Sequence, residues 1–120
     1  MSRDLAFWKY DTGVYLDNQK VYEKVCCEGE ILKGLSDLPI SEIKRRIDEV
    51  FGDYDKPDES VYIGEAGDFV VNLNEKSVVF NCSWSLPPEE LNQIIDILLE
   101  FGCPLYDPQI DVRFDGKEAN

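Results

Sequence analysis

The sequence predicts an α+β fold in which an antiparallel-rich sheet carries two main helices on one face. Two segments repeat apolar residues at helical spacing, and several short segments alternate apolar and polar residues. Strands precede, separate and follow the two helices, so a ferredoxin-like βαββαβ arrangement is the economical way to connect them. A length of 120 residues suits one domain, 1–120, with one core.

The first part of the chain predicts one strand and one short helix. Residues 5–10 are apolar and aromatic, and the turn residues 11–13 end the strand that they form. Residues 14–36 carry a weaker pattern. Within them, a helix over 17–27 with Asp17 as its N-cap would place its apolar side chains on one face.

The first main helix is predicted to begin at Ser41 and to end before Gly52. Its apolar residues recur on a single helical face, namely Ile43, Ile47, Val50 and Phe51. The polar, proline-containing residues 53–59 follow, and they predict a loop.

A short strand and a hairpin are predicted in the middle of the chain. Residues 61–63 form the short strand, and Gly64 begins a turn over 64–67. The hairpin joins residues 69–73 to 78–84. Its second arm alternates one set of residues onto one face, namely Val78, Phe80, Cys82 and Trp84.

The second main helix has the strongest apolar pattern. It opens at residues 86–90, where prolines and acids suit a first turn, and Gly102 and Pro104 stop it. Its predicted buried residues are Leu91, Ile94, Ile95, Leu98 and Phe101, widened by Ile97 and Leu99. Residues 110–114 alternate apolar and charged side chains, which predicts a last strand with one solvated face.

Carboxylates dominate the charge of the chain. There are 25 Asp and Glu against 12 Lys and Arg, with no histidine, for a formal net charge of −13. Such a surface repels nucleic acid and anionic membranes, and it attracts cationic proteins. The missing histidines remove the side chain most used for acid–base chemistry near neutral pH. The composition therefore favours a binding protein over an enzyme, although a negative charge that serves only solubility is the simpler alternative.

The four cysteines are predicted to be structural thiols in the cytoplasm. No basic segment followed by an apolar run opens the chain, and no apolar stretch approaches the length of a membrane span. Cys82 and Cys103 lie among apolar residues and are predicted core residues. Cys26 and Cys27 are adjacent and do not form a CxxC, and no histidine could complete a zinc site with them.

One acidic segment resembles the start of a calcium-binding loop. Asp53, Asp55 and Asp58 give the pattern D-x-D-x-x-D. An EF-hand also needs glycine at its sixth position and glutamate at its twelfth, which here hold Asp58 and Gly64. The chain also contains no GxxxxGK(S/T), GxGxxG or HExxH motif, so we expect neither a metal nor another cofactor.

The densest group of acids predicts the site of partner contact. Residues 48–68 contain eight carboxylates and one lysine, a density that costs stability unless a cationic partner neutralises it. Neighbouring tyrosines could serve as anchors, and the segment after the last helix adds two aspartates. A solvated loop is the alternative. The predicted contact residues are Glu49, Asp53, Tyr54, Asp55, Asp58, Glu59, Tyr62, Glu65, Asp107 and Asp111.

Three segments give the chain a resemblance to small bacterial immunity proteins of contact-dependent growth inhibition, a polymorphic toxin system. They are residues 5–10 (LAFWKY), 34–40 (GLSDLPI) and 101–109 (FGCPLYDPQ). The resemblance implies a role and not an architecture, because immunity proteins have many unrelated folds. It implies a protein that binds the C-terminal domain of a cognate toxin, for which a nuclease with a basic cleft would suit the charge. We expect a monomer.

Two other functions stay open from the sequence. A nucleic-acid mimic that blocks a DNA-binding protein would need its acids in a double row at phosphate-like spacing. A small enzyme that works with carboxylates or Cys103 would need a deep pocket around a group with a strongly shifted pKa.

Overall fold

The computed structural model describes residues 2–14, 16–30, 32–110 and 112–114. The strands and helices follow one another as β1 Ser2–Phe7, α1 Asn18–Val21, a π-helical segment Tyr22–Cys27, α2 Ile40–Val50, β2 Asp55–Asp58, β3 Val61–Ile63, β4 Asp68–Leu73, β5 Val78–Ser83, α3 Pro88–Glu100, β6 Leu105–Asp107 and β7 Val112–Phe114.

The described strands form one seven-stranded sheet in the order β2-β3-β4-β5-β1-β6-β7. Each neighbouring pair is antiparallel, which confirms the predicted α+β class with an antiparallel sheet. The central order β4-β5-β1-β6 is compatible with a βαββαβ arrangement. Strands β2 and β3 extend the sheet at one end and β7 extends it at the other, so the ferredoxin-like pattern describes at most the central part.

Both main helices pack on one face of the sheet, the inner face, as predicted. Ile43 and Ile47 of α2 and Ile94 and Leu98 of α3 are fully buried. They join one core with inward-facing residues of the strands, including Leu5, Phe7, Tyr62, Phe69, Phe80 and Cys82. Burying these side chains stabilises the fold by roughly 1.5–3 kcal/mol each for the larger aliphatic and aromatic residues.

A second, smaller core covers part of the opposite face, the outer face. Val21 of α1 and Val25 of the π-helical segment pack with buried residues of the sheet and its margins, namely Ala6, Trp8, Val79 and Tyr106. The Trp8 and Tyr106 rings lie 5.1 Å apart. The predicted short helix is therefore present, and it covers the β1–β6 part of the outer face.

The predicted loop over 53–59 is wrong in part, because its middle forms strand β2. Asp55 pairs with Ile63 and Asp58 with Val61, with an irregularity between them. The strand lies at the edge of the sheet. Pro57 has no backbone N–H, and a residue of an edge strand can lack this donor because no further strand pairs with its open side. Pairing with β3 thus outweighs the low strand propensity of Asp and Pro.

Other boundaries also differ from the prediction. Pro39, not Ser41, holds the cap position of α2. Trp84 lies beyond the end of β5, 55% exposed, with Arg3 above its ring. Ile110 precedes β7 and is 58% exposed, while residues 105–107 form the unpredicted strand β6. Alternation of apolar and polar residues does not by itself show at which residue a strand stops pairing with its neighbour.

Candidate partner-binding surface

The acidic end of the molecule begins with a paired carboxylate on the inner side of β2 and β3. Asp48 of α2 accepts hydrogen bonds from Lys44 Nζ at 2.9 Å, Lys56 Nζ at 2.7 Å and the Tyr62 hydroxyl at 2.5 Å. Lys44 Nζ also donates to Tyr62 Oη at 2.9 Å. Both ammonium groups lie near the Tyr62 ring, at 5.4 Å and 4.9 Å from its centroid. We call Lys44, Asp48, Lys56 and Tyr62 the inner cluster.

The inner cluster shifts the titration of its members. Burial alone would raise the pKa of Asp48, but the hydrogen bonds from Lys56, Tyr62 and Lys44 outweigh it and lower that pKa to about 2. Burial raises the pKa of Tyr62, and its hydrogen bond to Asp48 raises it further. At neutral pH the carboxylate is therefore charged and the phenol is not, so this acid is neutralised within the fold.

The acids beyond Asp48 are arranged differently. Glu49 forms salt bridges with Arg45 and Arg46 at 3.4 Å and 3.1 Å. In the described part of the chain, the six remaining acids of residues 48–68 make no salt bridge, namely Asp53, Asp55, Asp58, Glu59, Glu65 and Asp68. All six are exposed. The structure therefore leaves six acids at this end without a salt bridge to any described residue, although the charge of Glu59 contributes to the raised pKa of Lys44.

Some of these acids line a shallow cleft of about 410 Å³. The cleft is lined by Asp53, Tyr54, Gly64, Glu65, Ala66 and, from α3, Glu90. A Cβ at Gly64 would lie 2.7 Å from Tyr54 Cζ, so only glycine permits this approach. Burial raises the pKa of Tyr54, and the charge of Glu90 adds to the shift.

Glu90 is the cleft residue that sequence reasoning missed. Its Oε2 is buried and has no hydrogen-bond partner among the described residues. The sequence places Glu90 in the first turn of a helix, where an acid is expected for structural reasons. Nothing in the pattern predicts that α3 begins beside the turn between β3 and β4.

Two of the predicted contact residues are buried, and a third lies outside the residues that the structure describes. Tyr62 is fully buried and Asp107 is 5% exposed, so neither side chain reaches the surface in this conformation. Asp107 lies 3.7 Å from Arg3 and accepts a hydrogen bond from the Gln109 backbone at 3.0 Å, which holds a turn. Asp111 lies outside the described residues.

The exposed predicted residues come together at one end of the sheet. Asp55 and Asp58 lie on β2, Glu59 lies in the turn to β3, and Asp53 and Glu65 border the cleft. Tyr54 is half-buried, with its ring 5.2 Å from that of Phe51 and 5.8 Å from that of Phe69. That these residues contact a toxin stays a prediction.

All four thiols are free. Cys82 and Cys103 are fully buried, which confirms them as core residues. Burial raises the pKa of Cys103 to about 11 and the pKa values of Cys26 and Cys82 to about 12, so these thiols are protonated at neutral pH. Across residues 2–14, 16–30, 32–110 and 112–114, no group of three or more His, Cys, Asp or Glu side chains could hold a metal ion.

Neither the protein-family models nor the curated proteins match this chain. Among the described residues, none of the helices has the length and apolar character needed to cross a membrane.

Proposed function

We propose that the protein is an immunity protein that binds a cognate toxin domain in the cytoplasm and neutralises it by covering a basic surface. A nuclease with a basic active-site cleft is the toxin class that fits best. One observation carries this proposal: six exposed carboxylates at the β2–β4 end have no salt bridge among the described residues, while the fold neutralises Asp48 and Glu49 beside them.

The distribution of cations strengthens the argument. The three consecutive cationic residues of α2 all form salt bridges within the fold. Lys44 pairs with Asp48, Arg45 pairs with Glu49, and Arg46 pairs with Glu100 at 2.7 Å. These pairs leave the negative charge at the β2–β4 end uncompensated. A field of one sign over one end of a molecule attracts an oppositely charged protein and speeds its association, up to roughly 10⁸–10⁹ M⁻¹s⁻¹ at low salt.

Such an inhibitor needs no chemistry of its own. Carboxylates that pair with Lys or Arg in a desolvated interface slow dissociation, and a half-buried aromatic such as Tyr54 can serve as an anchor. An affinity of nanomolar or tighter, about 12 kcal/mol or more, would suit an inhibitor of a toxin that is lethal at low copy number.

The test uses the toxin domain itself. The open reading frame directly upstream of the gene is expected to encode a toxin whose C-terminal domain arrests growth when it is expressed alone. Co-expression of the protein should restore growth, and stopped-flow association of the two purified proteins should slow steeply as salt rises, because the Debye length falls from about 30 Å at 0.01 M to about 3 Å at 1 M. Absence of protection, or of binding, rejects the proposal.

A charge variant tests the carrying observation directly. Asp53→Asn, Asp55→Asn, Asp58→Asn and Glu59→Gln remove four charges while they keep shape and polarity. A matched control removes four charges from exposed acids elsewhere that make no salt bridge among the described residues, through Glu23→Gln, Glu42→Gln, Glu75→Gln and Asp96→Asn. Only the first variant should lose most of its affinity and its protection. Equal losses would show that net charge matters and its position does not.

A further inference from the structure

The outer face of strands β2, β3 and β4 has a regular pattern of side chains. Strand register places Asp55 opposite Ile63, and Ile63 opposite Asp68. A second row places Asp58 opposite Val61, and Val61 opposite Val70. Directly paired residues share a face of the sheet, and Tyr62 and Phe69 between these rows point into the core. Both rows therefore lie on the outer face.

This part of the sheet is open. Ile63 is 42% exposed, and Val61 and Val70 are half-buried. The π-helical segment and α1 pack on Ala6, Val79 and Tyr106, further along the outer face. Val61, Ile63 and Val70 belong to neither of the two core clusters that the described helices join. An apolar strip on a sheet is normally covered, and one that stays open is a candidate interaction surface.

The same strands turn their cations away from this face. Lys56 is the cationic residue of β2, and its Nζ lies on the inner side, 2.7 Å from Asp48 and 4.9 Å from the centre of the Tyr62 ring. The inner cluster thereby holds the ammonium groups of Lys44 and Lys56 on the inner side. Asp55, Asp58 and Asp68 are exposed and make no salt bridge within the described residues.

We propose that this outer acidic face, formed by Val61, Ile63 and Val70 between Asp55, Asp58 and Asp68, is the surface that contacts the toxin. The proposal rests on the proposed function and specifies its site. The partner that fits is a basic protein surface with an apolar side chain placed between Lys or Arg residues. Charge complementarity selects this occupant over a second copy of the chain, because a copy would bring further carboxylates against the same three aspartates.

The dimensions of the face agree with this partner. Neighbouring strands lie about 4.8 Å apart, so Asp55 and Asp68 stand roughly 10 Å from each other across Ile63. Two cationic side chains on either side of one apolar side chain can span that distance. An apolar centre with a polar rim is the usual composition of a specific interface, and a paired sheet holds it rigid.

The experiment compares matched triple variants in calorimetric binding to the C-terminal domain of the upstream toxin. The test variant carries Asp55→Asn, Ile63→Ser and Asp68→Asn. The control carries Glu42→Gln, Asp96→Asn and Leu99→Ser on the helices across the sheet, where Leu99 is 50% exposed. The test variant should raise Kd by at least about 100-fold, and the control by less than about threefold.

A third variant distinguishes the face from the neighbouring cleft. Asp53→Asn, Glu65→Gln and Glu90→Gln alter the cleft and leave both outer rows intact. If this variant loses affinity while the outer triple variant keeps it, the contact lies in the cleft and the outer face is rejected. Thermal melts identify any variant that fails to fold.

Hydrogen exchange on the wild-type protein tests the surface without relying on variants that could fail to fold. Hydrogen exchange in the complex should slow at the amides of β2 to β4 and not at the exposed side of α3. Binding of the wild type with no such protection overturns the proposed surface and leaves the proposed function intact. A wild type that does not bind at all rejects both.

Discussion

Carboxylates lie on both sides of the sheet at the β2–β4 end, and the two sides differ in how these carboxylates are paired. On the inner side, Asp48 binds two lysines and the hydroxyl of a fully buried tyrosine. On the outer side, Asp55 and Asp68 flank the 42%-exposed Ile63 and make no salt bridge with described residues. The inner carboxylate has its counter-charges within the chain, whereas no described residue forms a salt bridge with the outer carboxylates.

Because of this difference, we expect the inner carboxylate to contribute to stability and the outer carboxylates to contribute to binding. A carboxylate that satisfies buried or half-buried donors destabilises the protein when it is removed, because the donors lose their acceptor. An exposed carboxylate among like charges contributes little to stability or opposes it. The inner cluster should therefore respond to mutation in its unfolding free energy, and the outer acidic face should respond in its affinity.

The largest expected effect on stability comes from Asp48→Asn. The amide keeps one acceptor oxygen but removes the charge that neutralises Lys44 and Lys56. We expect a loss of roughly 1–2 kcal/mol in the free energy of unfolding, toward the low end because the Asp48 side chain is 39% exposed. Urea denaturation followed by far-UV circular dichroism measures it.

Glu49→Gln is the matched control for Asp48→Asn. It removes the same charge one residue further along α2, where both salt bridges are solvent-exposed, and it should change stability by less than about 0.5 kcal/mol. Equal losses in the two variants would mean that the inner cluster stabilises no more than an ordinary surface pair. Toxin affinity should change little in Asp48→Asn, because this carboxylate is neutralised within the fold.

The second prediction follows from the lowered pKa of Asp48. Because this pKa falls from 3.8 to about 2 on folding, the carboxylate stabilises the folded state fully above about pH 4 and loses that contribution as pH falls toward 2. The stability difference between wild type and Asp48→Asn should therefore shrink across this window and stay constant from pH 5 to 7. Denaturation series at several pH values measure this difference. The other acids titrate in both proteins, so their contribution to the difference largely cancels. A difference that is flat down to pH 2 would contradict the pKa.

The third prediction concerns the stability of the outer acidic face. Asp55→Asn with Asp68→Asn relieves repulsion between like charges and leaves no donor without an acceptor. The free energy of unfolding should stay unchanged or rise by up to about 0.5 kcal/mol, and the gain should disappear in high salt. A clear loss of stability would show that these acids are structural, which would remove the contrast with the inner cluster.

The fold was largely predictable because it follows local periodicity. The helical repeat of Ile43 and Ile47 and that of Ile94 and Leu98 identify the helices that the structure buries. The hairpin of β4 and β5 follows from alternation around a short turn. The strand at Asp55–Asp58 was not predictable in this way, since its residues disfavour strands and only the pairing with β3 makes one.

The candidate site was predictable in location and not in detail. Carboxylate density indicates the end of the sheet at which six exposed acids make no salt bridge with described residues. It does not distinguish Asp48, which tertiary contacts neutralise, from Asp55, which they leave open. Nor does it identify Ile63 or Glu90, because strand register exposes the first and helix placement brings the second to the cleft.

The smallest expected effect comes from Cys26→Ser with Cys27→Ser, which tests how far the contact extends along the outer face. Both cysteines line a cavity of about 500 Å³ between the end of the π-helical segment and residues 72–74 of β4 and its turn. Burial raises the pKa of Cys26 to about 12, so its thiol is protonated and unreactive at neutral pH, and Cys27 is exposed. The double variant should lose at most about 1 kcal/mol of stability through the partly buried Cys26, and its toxin affinity should change by less than about threefold. Calorimetric binding and the growth-protection assay measure this. A variant that folds normally but no longer protects would extend the contact from Asp55–Asp58 to the π-helical segment, or would assign these thiols a redox or metal-binding role.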